Sequence, residues 1–254
     1  MENRFSFAKI LVKKAGDLVL EQLSESIEVA EKSSPDDLVT SADKQIQAYL
    51  VSEIQKRYPQ DAFLAEEENL KSSLLQGSVW VIDPIDGTLN FVTQKSDFAI
   101  MLAYFEEGVG RFGIIYDVIG DKLYAGGGAF PVTCNEALLK AFDGRLLSQS
   151  LVACNTGMLL QNEHGIADRL KTALGVRNYG CAGLSMAKVL KNQLWGYFSS
   201  LYPWDYAAAM IMGESLGYSL LTIEGEVPDF SSRQQVMFLP KRHSHYFQES
   251  LLNR

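Results

Sequence analysis

Trp80 to Phe91 reads W-V-I-D-P-I-D-G-T-L-N-F, an apolar run that ends in two carboxylates, a glycine and a hydroxyl. Val79 to Ile82 is short and apolar, the pattern of a buried strand. Pro84 has no backbone donor with which to continue a ladder inside a sheet, so the strand is predicted to stop with Asp83 at its end. A tight turn after it brings Asp83 and Asp86 together, and their repulsion is costly unless a cation lies between them. Gly87 permits positive φ or close backbone approach, and Gly87, Thr88 and Leu89 open a helix whose free N–H groups suit a phosphate. The stretch therefore predicts a hard cation beside an anion.

Taken alone, D-P-I-D-G-T is also an ordinary turn, because Asp, Pro and Gly all favour turns. Its company in the chain changes the reading. Glu66-Glu67-Glu68 directly follows apolar Ala62, Phe63, Leu64 and Ala65, and Pro203-Trp204-Asp205 precedes a helical run. This combination resembles the inositol monophosphatase family, the Mg²⁺-dependent, lithium-sensitive phosphomonoesterases. Trp80 to Phe91 is similar to its first signature and Trp204 to Gly217 (W-D-Y-A-A-A-M-I-M-G-E-S-L-G) to its second. Lys32 to Asp43 (K-S-S-P-D-D-L-V-T-S-A-D) resembles its N-terminal element. The fold the resemblance implies is α/β (α+β), a layered α-β-α-β-α sandwich of the sugar phosphatase type with the metals at the junction of two halves.

Composition agrees with the central stretch. A formal net charge of −8 argues against nucleic acid as a partner, since such binders carry a basic face. An acidic protein that handles a phosphate needs borrowed positive charge, and divalent metal held by its own carboxylates supplies it. Cys134, Cys154 and Cys181 are far apart and in no C-x-x-C pattern, so they read as reduced structural thiols. Lys9, Lys13, Lys14 and Asp17 interrupt the N-terminal apolar residues, which argues against a secretory signal, and no stretch approaches a membrane span. The cytoplasm is the expected location. His243 and His245 have no third ligand nearby and read as loop residues.

Phe5, Ala8, Leu11, Val12, Ala15, Leu18, Val19 and Leu23 recur at helical spacing and predict an amphipathic first helix. Thr40-Ser41-Ala42-Asp43 has the form of a capping box opening a second helix with Ile46, Leu50 and Ile54 inward. Residues 98–105, 109–118 and 122–125 read as an antiparallel meander, and Gly126-Gly127-Gly128 as a turn or bulge. From Leu146 strands alternate with helices: a strand over 151–155, then helices over 166–173, 185–194 and 205–217. Late strands follow over 218–223 and 236–239, with a closing helix over 246–252. Asp205 stands where a helix N-cap belongs. No linker composition marks a boundary, so 1–254 reads as one unit, a 1–145 lobe carrying the acidic motifs fused to a 146–254 lobe.

Residue by residue, the resemblance implies the following roles. Glu66, Asp83 and the Ile85 carbonyl hold one Mg²⁺, and Asp83, Asp86 and Asp205 a second. A weaker third touches Glu66, with Lys32, Asp37 and Glu67 as further loop or third-metal residues, giving two to three ions per site. Asp43 pairs with Thr88, and Thr88 with Glu66 positions a metal-activated water for direct attack on phosphorus. Gly87, Thr88, Ala182 and Asp205 face the substrate. Phe198 stands where animal members carry a glutamate that binds substrate hydroxyls, which removes one acceptor. A-E-E replaces G-E-E at Glu66, and Leu89-Asn90 departs from the usual Thr-Asn. The implied substrate is a small polyol or sugar phosphate such as inositol-1-phosphate, and the enzyme a homodimer. NADP(H), fructose-1,6-bisphosphate and phosphoadenosine phosphate are alternative substrates, and a sensor of phosphorylated metabolites is the non-enzymatic alternative.

Overall fold

The computed structural model describes residues 1–23, 29–31, 38–67 and 70–244. Helix α1 (Glu2–Gln22) buries Phe5, Ala8, Leu11, Val12, Ala15 and Val19 along one stripe, as the spacing predicts. Strands β1 (Val29–Glu31) and β2 (Leu38–Thr40) pair antiparallel. Helix α2 (Ser41–Arg57) begins at the predicted capping box: the Asp43 N–H donates to Thr40 Oγ1 at 3.3 Å and the Thr40 N–H donates to Asp43 Oδ2 at 2.8 Å. A cap of this kind stabilises a helix by about 1 kcal/mol.

Next comes a seven-stranded sheet in chain order: β3 (Ala62–Ala65), β4 (Ser78–Asp86), β5 (Ala99–Glu106), β6 (Val109–Asp117), β7 (Lys122–Gly127), β8 (Phe130–Cys134) and β9 (Ala137–Leu138). Helix α3 (Thr88–Gln94) connects β4 to β5. β3 and β4 are parallel and the rest antiparallel. The meander continues two strands past the predicted three, through a run that its Pro131 had disguised. The three glycines form the expected bulge: all have positive φ, and the β7–β8 register shifts between Ala125 and Gly127.

The second half supplies β10 (Leu151–Cys154), α4 (Thr156–Leu160), α5 (Ile166–Leu170), β11 (Gly175–Arg177), α6 (Ala182–Leu190), β12 (Tyr197–Leu201), α7 (Pro203–Leu216), β13 (Tyr218–Thr222) and β14 (Gln234–Pro240). Its sheet runs β11-β10-β12-β14-β13, parallel among the first three strands and antiparallel after them. Strands β11 and β12 are additions to the sequence reading, and α6 starts three residues earlier than predicted. The predicted closing helix over 246–252 lies outside the described residues.

The layers follow from which faces are apolar. α1 and α2 cover one face of the large sheet around Trp80, Ile100 and Phe112. α6 and α7 fill the space between the two sheets, with Met186, Ala208 and Met212 against Met101, Ile115 and Phe238. α4 and α5 cover the outer face of the small sheet through Met158, Ile166 and Leu170. This is the α-β-α-β-α order. α7 lies almost directly on the large sheet: a Cβ on Gly113 would stand 2.2 Å from the Ala208 carbonyl oxygen, and one on Gly127 2.5 Å from that of Ile211. Among the described residues no helix is long and apolar enough to cross a membrane.

Candidate active site

β4 does not stop at Pro84. It runs to Asp86 with a register shift between Asp83 and Asp86, so proline occupies an irregularity where the ladder does not call on its missing N–H. That corrects the predicted strand end, and it leaves Asp83 only 1% and Asp86 only 8% exposed. Gly87 then turns the chain at φ 89°, ψ 38°, in the left-handed region. A side chain there would also press on Cys181, whose Cβ lies 3.0 Å from the position of a Gly87 Cβ.

Thr88, the first residue of α3, has its hydroxyl 3.0 Å from the Ile85 carbonyl and 3.2 Å from Asp43 Oδ1. The other Asp43 oxygen accepts from the Thr40 N–H and from the Thr40 hydroxyl at 2.5 Å. The predicted Asp43–Thr88 pair is therefore assembled across 45 residues of chain. Glu66 leaves the end of β3 with its N–H donating to the Ile82 carbonyl at 3.3 Å. Glu67 is buried, its carbonyl accepting from Gln47 Nε2 at 2.7 Å and its N–H donating to Gln47 Oε1 at 2.8 Å. This clamp ties the end of β3 to α2 beside Glu66. Lys32 and Asp37 lie outside the described residues.

Asp205 is not the N-cap of α7. Pro203 begins the helix, its fixed φ suiting the first position, and Tyr202 is the cap. Asp205 sits in the first turn and accepts the Tyr202 N–H at 2.8 Å.

Three elements, β3, β4 and α7, thus deliver Glu66, Asp83, Asp86 and Asp205 to one place, and their charges act on one another. Burial pushes the Asp83 carboxyl well above the usual range, and Glu66, Asp86, Asp205 and Asp43 push it further. Burial does the same to Asp205, helped by Asp86 and Glu66 and opposed by hydrogen bonds from the Tyr202 N–H and with Asp83. Asp86 is raised by burial, but less, because it accepts three hydrogen bonds. Its donors are the Cys181 thiol at 2.8 Å and the Gly183 N–H at 2.5 Å, both to Oδ2, and the Ala182 N–H at 3.0 Å to Oδ1.

Asp83 Oδ1 is buried without a hydrogen-bond partner. Among the described residues no three potential ligands are drawn together as a formed cage, yet Glu66 and Asp86 stand close enough to raise the pKa of both Asp83 and Asp205. An all-oxygen anionic set with an orphaned buried oxygen fits a hard divalent cation such as Mg²⁺.

On the substrate side, Ala182 begins α6 and its N–H is taken up by Asp86. Phe198 faces away: its ring is fully buried on the outer side of the small sheet with Val152, Met158 and Met237. The strand alternation instead turns Tyr197 and Ser199 inward, hydrogen-bonded to each other and near enough to Asp86 and Asp205 that those charges add to the burial that raises the tyrosine pKa. Phe198, which stands where animal members carry a glutamate, thus offers this site no acceptor. Cys181 reads from the sequence only as a structural thiol, and Tyr197 and Ser199 are not singled out there. A prediction of β12 would have exposed the Tyr-x-Ser alternation, whereas nothing local signals a thiol 95 residues from its carboxylate.

Residues 1–250 match the model of the inositol monophosphatase family. The inositol-1-monophosphatase of Bacillus subtilis (strain 168) is 36% identical over 96% of this chain and 95% of its own length. Among solved structures, a staphylococcal inositol monophosphatase-1 soaked in lithium chloride, described as an inhibitory complex, superposes with a TM-score of 0.91 at 27% identity over 99% of this chain and 95% of that one. An IMPase/NADP phosphatase complexed with Mg²⁺ and phosphate superposes with a TM-score of 0.90 at 27% identity, with the same coverage.

Proposed function

Because the chain belongs to the inositol monophosphatase family and is accordingly a phosphoric monoester hydrolase, we propose that it hydrolyses a small polyol or sugar phosphate such as inositol-1-phosphate. Glu66, Asp83, Asp86, Asp205 and the Ile85 carbonyl would hold two to three Mg²⁺ ions. The observation that carries this reading is the buried, partnerless Asp83 oxygen among mutually repelling carboxylates. When bound, Mg²⁺ supplies the charge that neutralises this cluster, polarises the phosphoryl oxygens and acidifies a water.

The chain's own groups do the rest. Asp43 Oδ1 accepts from the Thr88 hydroxyl, which leaves the Thr88 oxygen's lone pairs to orient the attacking water, and Glu66 holds that water from the end of the neighbouring strand β3. Thr40 fixes Asp43 in that orientation through its N–H and hydroxyl. Asp205 and the Gly87–Thr88 turn border the ester, with Ala182 beside the alcohol it releases. Attack is direct, with no phosphoenzyme.

The similarity to an IMPase/NADP phosphatase favours NADP as a second reading. In the same proposal the enzyme is a cytoplasmic homodimer, lithium inhibits it, and each chain acts as one unit of two fused lobes. The test is phosphate release from inositol-1-phosphate, NADP, fructose-1,6-bisphosphate and phosphoadenosine phosphate, each with Mg²⁺ and with chelator. Mg²⁺-dependent turnover of inositol-1-phosphate supports the reading. Turnover of NADP alone selects the second, and silence toward all four with Mg²⁺ still bound refutes both.

A further inference from the structure

We propose that Cys181 is a positioning residue, whose thiol holds the Asp86 carboxylate in the one orientation that presents it to the metal site. The proposal rests on the reading of Asp86 as a metal ligand. Cys181 is the N-cap of α6 and is 2% exposed. Its sulfur serves two partners at once: it accepts the Leu184 N–H at 3.4 Å, as a cap does, and its S–H points to Asp86 Oδ2 at 2.8 Å. The Gly183 N–H reaches the same oxygen and the Ala182 N–H reaches Oδ1, so both carboxylate oxygens are engaged from one side.

The approach is close by construction. A Cβ on Gly183 would lie 2.9 Å from Asp86 Oδ2, and one on Gly87 3.0 Å from the Cys181 Cβ, so bare backbone is needed on both sides of the contact. The Ser185 hydroxyl anchors the Cys181 carbonyl at 2.6 Å, which holds the thiol's own backbone in place. A carboxylate has about four lone-pair positions. With three taken by α6, the remaining one is restricted in direction, and that restriction is what a second set of hydrogen bonds does for a ligating group. The backbone N–H groups cannot be varied by substitution, but the thiol can.

The experiment measures Mg²⁺ affinity by calorimetry and thermal unfolding without metal, for wild type, Cys181→Ala, Cys181→Val and Cys181→Ser. Valine suits the extended backbone at this position, φ −144° and ψ 120°, and supplies volume without a donor. Loss of the donor is expected to weaken Mg²⁺ binding by about tenfold or more in the alanine and valine variants, while serine, which still donates, stays within about threefold of wild type. A folded alanine or valine variant that binds Mg²⁺ like wild type overturns the proposal, because a thiol that only caps α6 would lower the unfolding temperature and leave the affinity unchanged. Serine binding as weakly as valine overturns it too. In the infrared, a Cys181 S–H band, assigned by its loss in Cys181→Ala, that is no lower than the band of Cys154, whose thiol donates at 3.4 Å to the Asn155 carbonyl, shows that Cys181 does not donate strongly to Asp86 and overturns the proposal. If wild type itself binds no Mg²⁺, the metal reading fails first and this one with it.

Discussion

Gly113→Ala tests whether the seat of α7 on the large sheet sets the geometry of the acidic site. The added Cβ would lie 2.2 Å from the Ala208 carbonyl oxygen and 2.7 Å from its Cα, both backbone atoms. Ordinary contact begins at about 3.5 Å, so the helix must retreat by roughly 1 Å. Overpacking of this kind costs about 1–3 kcal/mol, and each kcal/mol lowers the unfolding temperature of a chain this size by about 2–4 °C. Asp205 rides on the first turn of the same helix, and a displacement of about 1 Å in a positioning group costs on the order of a hundredfold in rate.

Gly110→Ala is the internal control on the same strand. Its Cβ would meet Cγ1 and Cδ1 of buried Ile211 at 2.5 and 2.9 Å, side-chain rather than backbone atoms of α7, so repacking should cost stability while the helix is displaced less, and the rate falls less, than in Gly113→Ala. Circular dichroism melting and Mg²⁺-dependent phosphate release on both variants are the assays. Equal behaviour of the two, or a Gly113→Ala protein with unaltered melting and turnover, would show that α7 does not bear on β6 as described.

Three other outcomes are expected. Asp86→Asn leaves an amide that can accept from Gly183 and Cys181 or from Ala182 but not from both sides, so beyond losing a ligand charge it strands a buried donor at about 1–3 kcal/mol. Charge alone predicts an intact fold with lost activity, whereas this geometry adds a measurable fall in stability. Turnover drops by about a hundredfold or more, and the stabilisation that Mg²⁺ brings to wild type, about 2.7 kcal/mol at a hundredfold excess over Kd, shrinks; near-normal turnover removes Asp86 from the ligand set. Thr88→Ala lowers kcat by about a hundredfold or more while Thr88→Ser restores most of it, and an alanine variant with unchanged kcat excludes Thr88 from orienting the water. At high pH, burial raises Tyr116 to about 12 and Tyr124, Tyr206 and Tyr218 further. Folded-state pKa values above the usual tyrosine range mean stability that is full below about pH 10 and lost as pH rises through 12. Phenolate absorbance and circular dichroism should therefore change together, and tyrosine ionisation completed before any unfolding would contradict it.

Much of this protein is legible without coordinates. The stripe of α1, the Thr40–Asp43 box, the central hairpins and the glycine bulge all depend on residues a few positions apart, where periodicity and capping act. The acidic motifs are equally local, and their resemblance to the family's motifs, rather than residue type alone, singles out Glu66, Asp83, Asp86 and Asp205. Tertiary structure decided which way those groups point and what else meets them. Pro84 does not end β4, because its partner strand accommodates an irregularity there. Phe198 faces outward while Tyr197 and Ser199 face inward, because strand alternation has a period of two and a single residue's register reverses every side chain. Asp86 receives its donors from α6, brought to it only when Gly183 lets the helix approach. Local rules place residues in elements, but the donors and charges around a buried carboxylate come from whichever elements pack against it, and that packing is set by the whole chain.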